Sequence, residues 1–123
     1  MKSIFVSYVY EDIKYLNKIK RWESKGLLPG YTIVAEKEDN RTSGKKAVKE
    51  YLKPLINKAN IVLVLIGDNT HNHNWITWEV EVANSLHKDI ACMRIPNTTG
   101  SKPQILNKYP ELQFHANQIT SKF

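Results

Sequence analysis

Ala59-Asn60-Ile61-Val62-Leu63-Val64-Leu65-Ile66-Gly67 decides the fold class. Six consecutive β-branched or leucine residues, Ile61 to Ile66, stand between a polar pair and a Gly67-Asp68 turn. A run this short and this uniformly apolar predicts a strand buried on both faces, as in a parallel sheet covered by helices on each side. A strand with one face in water would alternate. In open parallel sheets, ligands collect where the carboxyl ends of strands meet helix starts. The polar loop after Ile66, Asp68 to Asn74, is therefore the first place to look for function.

Outward from this strand, the chain alternates. Ile4 to Tyr8 predicts a first strand, and Tyr10 to Lys25 a helix whose Ile13, Leu16, Ile19 and Trp22 recur every three residues. Glu11 and Asp12 suit its first turn and Gly26 its end. Tyr31 to Ala35 predicts a second strand, and Glu36 to Gly44 a charged loop without an apolar residue. A second helix, capped by Thr42 or Ser43, presents Ala47, Val48, Tyr51, Leu52, Leu55 and Ile56. Pro54 within it predicts a kink or early end. A third helix spans Trp75 to His87 with Asn74 as its cap, and Ile90 to Ile95 is a fourth strand. Pro103 to Lys108 holds a short helix, and Leu112 to Phe114 a short edge strand. This β-α-β-α-β-α-β order predicts one doubly wound α/β domain over residues 1–123.

Composition narrows the function. No apolar run approaches the ~18 residues of a membrane span. The start, Met1-Lys2-Ser3-Ile4, enters a strand pattern rather than that of a signal peptide. A single cysteine, Cys92, sits in an apolar run and reads as a buried free thiol, which implies the cytoplasm. The net charge of +6 is spread along the chain without a nucleic-acid recognition motif, so specific nucleic-acid binding is not expected. His71 and His73 lack further ligands at useful spacing, and no metal is expected. Ser43-Gly44-Lys45-Lys46 lacks the first glycine and the hydroxyl of a phosphate loop, and no Gly-x-Gly-x-x-Gly follows the first strand.

The third helix carries the anomaly. Trp75, Glu79, Val82, Ala83 and Leu86 share one helical face, apolar except for Glu79. Two readings follow: Glu79 lies at the rim and reaches water, or it is a functional carboxylate held between two indoles at the mouth of the sheet. Ser7, Tyr8, Asp12, Glu36 and Asp68 are the other polar residues at strand ends. Each alone fits a turn or cap as well as a ligand contact. A phosphorelay receiver would pair acids after its first strand and end its fourth with lysine, where Arg94 and Ile95 stand here.

Three separated segments, Ile4-Phe5-Val6-Ser7-Tyr8-Val9-Tyr10-Glu11-Asp12, Val62-Leu63-Val64-Leu65-Ile66-Gly67 and Trp75-Ile76-Thr77-Trp78-Glu79, together resemble the TIR-like family. The nearest branch includes the ThsB components of Thoeris antiphage defence, and the likeness covers residues 3 to about 96. The resemblance implies a flavodoxin-like three-layer sandwich with a central parallel sheet in the order 2-1-3-4-5. It implies cleavage of NAD, as substrate rather than bound cofactor, at the nicotinamide-ribose bond, giving ADP-ribose or a cyclic isomer. It makes Glu79, four residues after Trp75, the catalytic glutamate, and Ser7, Tyr8, Asp12, Trp75 and Trp78 substrate contacts. It further implies self-association and an effector activated by the product, and it puts Glu36 to Gly44 in the place of the loop that gates the site. The alternative it leaves open is a TIR-like scaffold that acts by association alone.

Overall fold

In the computed structural model the backbone is described over residues 1–35 and 45–123, and the side chains over the same residues apart from 45–49. The charged loop Glu36 to Gly44, the caps Thr42 and Ser43, and the side chains of Ala47 and Val48 lie outside the described residues.

Five parallel strands form one sheet in the order β2-β1-β3-β4-β5: β1 Lys2–Ser7, β2 Tyr31–Val34, β3 Ile61–Ile66, β4 Asp89–Arg94 and β5 Glu111–Leu112. This is the doubly wound, flavodoxin-like arrangement. The apolar run Ile61 to Ile66 is the central strand, every residue buried, paired with β1 through Ser7↔Val64 and with β4 through Ile66↔Arg94. Alternation sends Ile61, Leu63 and Leu65 into one core with Ile4, Val6, Ala91 and Met93. Val62, Val64 and Ile66 enter the other core with Phe5, Ile90 and Cys92. Helices α1 (Ile13–Ser24) and α4 (Ala116–Lys122) cover the first core, α2 (Lys45–Lys58) and α3 (Asn74–Ser85) the second. Each fully buried aliphatic side chain contributes about 1.5–3 kcal/mol relative to exposure, which is why the uniform β3 run dictates a covered sheet. No helix among the described residues is long and apolar enough to cross a membrane.

Helix boundaries move where local chemistry competes with periodicity. The first helix opens as a 3-10 turn, Tyr10–Asp12, before α1 begins at Ile13. It closes at Gly26, whose φ of 76° lets Gly26 and Leu27 N–H groups reach back to the Glu23 and Trp22 carbonyls. α2 runs past Pro54 to Lys58, because Leu52 and Ile56 are wholly buried on either side of the ring. Tyr51, expected on the apolar face, is instead 53% exposed. The segment after β4 contains a 3-10 turn at Gln104–Leu106, the edge strand β5 and the unforeseen α4. Phe114 holds this segment against α1, meeting Tyr15 edge-on at 5.6 Å and Trp22 at 4.8 Å between ring centroids.

Candidate functional site at the carboxyl edge of the sheet

In the order 2-1-3-4-5 the chain leaves β1 toward one side and β3 toward the other, so a crevice opens between the ends of these two strands. At the end of β1 the residues alternate: Phe5 and Val9 enter the α2–α3 core, Val6 and Tyr8 the α1 core. Ser7, between Phe5 and Val9, therefore lies on the side of the sheet covered by α2 and α3. It is fully buried, and its Oγ has no hydrogen-bond partner. Tyr8, only 4% exposed, packs on the opposite side of the sheet from Ser7.

Past Val9 the 3-10 turn folds back, with Asp12 N–H donating to Val9 O at 2.9 Å. It lays the Asp12 carboxyl directly on Gly67, the first residue after β3. A Cβ at Gly67 would stand 2.5 Å from Asp12 Oδ2. Oδ2 is buried and accepts no hydrogen bond. Burial, reinforced by the negative charges of Glu11 and Asp68 and opposed by His73, raises the Asp12 pKa from 3.8 to about 6.

The loop after β3 is braced from within. Thr70, fully buried, accepts from Gly67 N–H at 2.9 Å and donates to Leu65 O at 3.3 Å. Asn69 Nδ2 donates to Glu11 Oε2 at 3.0 Å, tying this loop to the turn that carries Asp12. Asp68 accepts from Thr99 N–H at 2.8 Å, so its carboxylate serves the turn. Gly100 packs against the Gly67 and Asp68 carbonyls so closely that a Cβ has no room. Arg94 fixes the same segment by donating to Gly100 O at 2.7 Å.

His73, rather than Asn74, occupies the cap of α3, because a 3-10 turn at Thr70–Asn72 leads straight into the helix; no side chain caps it. The buried face of α3 is Ile76, Glu79, Val80 and Ala83, rotated from the face centred on Trp75, Val82 and Leu86 that spacing suggested. Glu79 flanks the rest of that face on its Trp75 side and is 0% exposed, so the rim reading does not hold, whereas Glu81 is exposed as expected. Glu79 Oε2 makes no hydrogen bond, while the residue as a whole does take part in an interaction with its neighbours. Trp75 and Trp78, both half-buried, meet edge to face at 6.1 Å on the first turns of the helix.

The fold thus brings Ser7 and Glu79 to the same side of the sheet, Asp12 to the crevice through Gly67, and the two indoles to the start of α3. Tyr8 enters the other core. Thr70 and Gly100 build the crevice with Gly67; the sequence reading saw Gly67 only as a turn residue and passed over the other two, whose only signals were a lone threonine among Asn and His residues and a glycine in the loop after β4. His71 and His73 are exposed, and no group of three metal-ligating side chains exists among the described residues. The arrangement suits a ligand with a developing positive charge, since the acidic groups Glu11, Asp12 and Asp68 gather around one strand end.

Comparison with known proteins narrows this further. No curated protein matches the chain. The solved 2-desoxiribosyltransferase from Leishmania mexicana shares its fold, with a TM-score of 0.53 at 12% identity, over 76% of this chain and 65% of that enzyme. The chain thus spans somewhat less than two thirds of that enzyme's length. The family model described as Thoeris protein ThsB, TIR-like domain, matches residues 5–100, which include the end of β1, all of β3 and all of α3. The chain belongs to this TIR-like family.

Proposed function

We propose that the protein cleaves NAD at the nicotinamide-ribose bond, with Glu79 as the catalytic carboxylate. One observation carries the reading: a glutamate stands wholly buried in the core face of α3, beside the carboxyl edge of a parallel sheet. A carboxylate in that position is costly to the fold, and a stability role alone is better filled by an apolar side chain of similar size. Family membership supplies the substrate class.

Nicotinamide departs as a neutral group, so the bond breaks without a strong general acid. Positive charge develops on the ribose in an oxocarbenium-like state. A carboxylate held in a low-dielectric site stabilises that charge far more than one in water. Trp75 and Trp78 form an aromatic wall for the departing ring, and Ser7 contributes a hydroxyl that makes no protein hydrogen bond. Asp12, at the crevice, completes the substrate contacts, whereas Tyr8, expected among them, is packed into the opposite core. Attack by water gives ADP-ribose; attack by a hydroxyl of the same molecule gives a cyclic product that would activate an effector. In the conformation described no water reaches Glu79, so substrate entry requires the first turns of α3 or their surroundings to open. A resting state of this kind suits an enzyme of antiphage defence that self-associates when triggered.

The test is chromatography of NAD incubated with wild type and Glu79→Gln, alone and in extract of phage-infected cells. Nicotinamide release by wild type and its loss in a folded variant support the reading. A wild type inert under every condition overturns it and leaves a scaffold acting by association.

A further inference from the structure

The net charge of +6 has a local concentration far from the crevice. Parallel strands all begin at one edge of their sheet, so Lys2 at the head of β1 and Lys88, just before β4, arrive at the same edge. α4 follows β5 and returns to that edge, where it ends at Lys122. The three lysines line one cavity of about 430 Å³, together with Asp89, Tyr109 and Phe123. The five strand steps from Lys2 to Ser7, at about 3.3 Å each, set this cavity about 17 Å from the crevice.

Its walls are held in place. Lys88 Nζ donates to Asn57 O at 2.8 Å and Lys2 Nζ to Phe123 O at 3.3 Å. An ammonium carries three donors, so each of these keeps two for a ligand. Tyr109 is fixed at three points. Its hydroxyl donates to Asn84 Oδ1 at 3.1 Å, Lys102 Nζ donates to its carbonyl at 3.2 Å, and Lys108 Nζ stands 5.3 Å from the ring centroid. Lys122 alone would suit the end of a helix. Three ammoniums from three elements around one cavity do more: they focus a positive field that draws in an anion. Asp89 narrows the choice, because a carboxylate repels a bare anion and accepts hydrogen bonds from hydroxyl or amino groups. The aromatic lining asks for a ring. We infer that this cavity binds a nucleoside phosphate, with the phosphates on Lys2, Lys88 and Lys122, the base against Tyr109 and Phe123, and hydroxyl or amino donors on Asp89. Its volume falls within the range of about 300–1,000 Å³ usual for small-molecule sites. The inference does not rest on NAD cleavage.

The probe is ADP, titrated into isotope-labelled protein and read by backbone amide NMR shifts, which locate binding without a variant. Amides of Lys2, residues 88–90, Tyr109 and Lys122 should move together and saturate below about 1 mM ADP. Adenosine lacks the phosphates and inorganic phosphate lacks the ring; each should bind at least about tenfold more weakly. Lys122→Glu changes an exposed side chain, so the fold should stand while the affinity for ADP falls about tenfold. Shifts confined to residues 67–70 and 98–100 would put ADP in the crevice and overturn the inference, as would the absence of any shift. Adenosine that binds like ADP, or a folded Lys122→Glu that binds like wild type, refutes the role of the lysines. Phosphate that binds like ADP refutes the nucleoside. None of these results depends on turnover, so this inference and the NAD reading fail separately.

Discussion

At the edge of the sheet where the strands begin, polar groups close on one another. Ser3 N–H donates to Asn60 Oδ1 and Asn60 N–H to Ser3 O, both at 2.9 Å, and Asp89 N–H donates to Asn60 O at 3.3 Å. The Lys88 ammonium donates to Asn57 O at the end of α2. At the edge where the same strands end, Ser7 Oγ, Asp12 Oδ2 and Glu79 Oε2 are buried and make no hydrogen bonds. There, acids crowd one another, and two glycines are packed tighter than any side chain would allow. Buried polar groups are ordinarily satisfied, and leaving one unsatisfied costs about 1–3 kcal/mol. One sheet therefore has an edge built for stability and an edge where stability is given up, as expected where a ligand supplies the missing partners.

Four substitutions break or sharpen this contrast. The largest effect belongs to Gly100→Ala. Its Cβ meets the backbone of Gly67 and Asp68 rather than a flexible side chain, so the loops must part. We expect a loss of about 3 kcal/mol in denaturant unfolding, with activity lost as well. A stability like that of wild type would mean that the two loops are not locked together. Thr70→Val keeps the shape but strands Gly67 N–H, and should destabilise by about 2 kcal/mol. Were it neutral, the internal brace of the crevice would be refuted. At the opposite edge, Asn60→Ala removes the acceptor of Ser3 N–H in an exposed setting. A cost of about 1 kcal/mol with NAD turnover untouched is expected, and a change in kcat would contradict the division of roles between the edges.

Asp12→Asn has the smallest effect on stability, and its sign depends on pH. The pKa of Asp12 is raised on folding, from 3.8 to about 6, so the fold favours the protonated acid. Its contribution is most favourable below pH 3.8 and is lost as pH rises toward 6. The variant should therefore melt about 2 °C higher than wild type at pH 7 and equal to it at pH 3. A variant that melts lower at pH 7 would show that Asp12 is a stabilising anion.

How far these features are legible in the sequence follows from their physics. The apolar run Ile61 to Ile66 and the stripe Ile13, Leu16, Ile19, Trp22 have strong periods, and both fold as expected. Glu79 was visible because a charge breaks such a stripe. Its depth was not, since the buried face of α3 turns on which of two overlapping stripes the sheet selects, a tertiary choice. The crevice itself was illegible. Whether Asp12 touches Gly67, or Gly100 closes on Asp68, depends on contacts 32 to 55 residues apart, which local pattern does not encode. α4 was missed for the same reason, because Ile119 and Phe114 are held by α1 rather than by any repeat of their own.

The central claim is that Glu79 is kept in the core for chemistry rather than for the fold. The most direct measurement records both properties of Glu79→Gln on one preparation: thermal unfolding, and NAD turnover in infected-cell extract. The account predicts a Tm within about 3 °C of wild type and nicotinamide release reduced about 1,000-fold. A variant that turns over NAD like wild type, or one whose Tm collapses while wild type itself releases no nicotinamide, would contradict it.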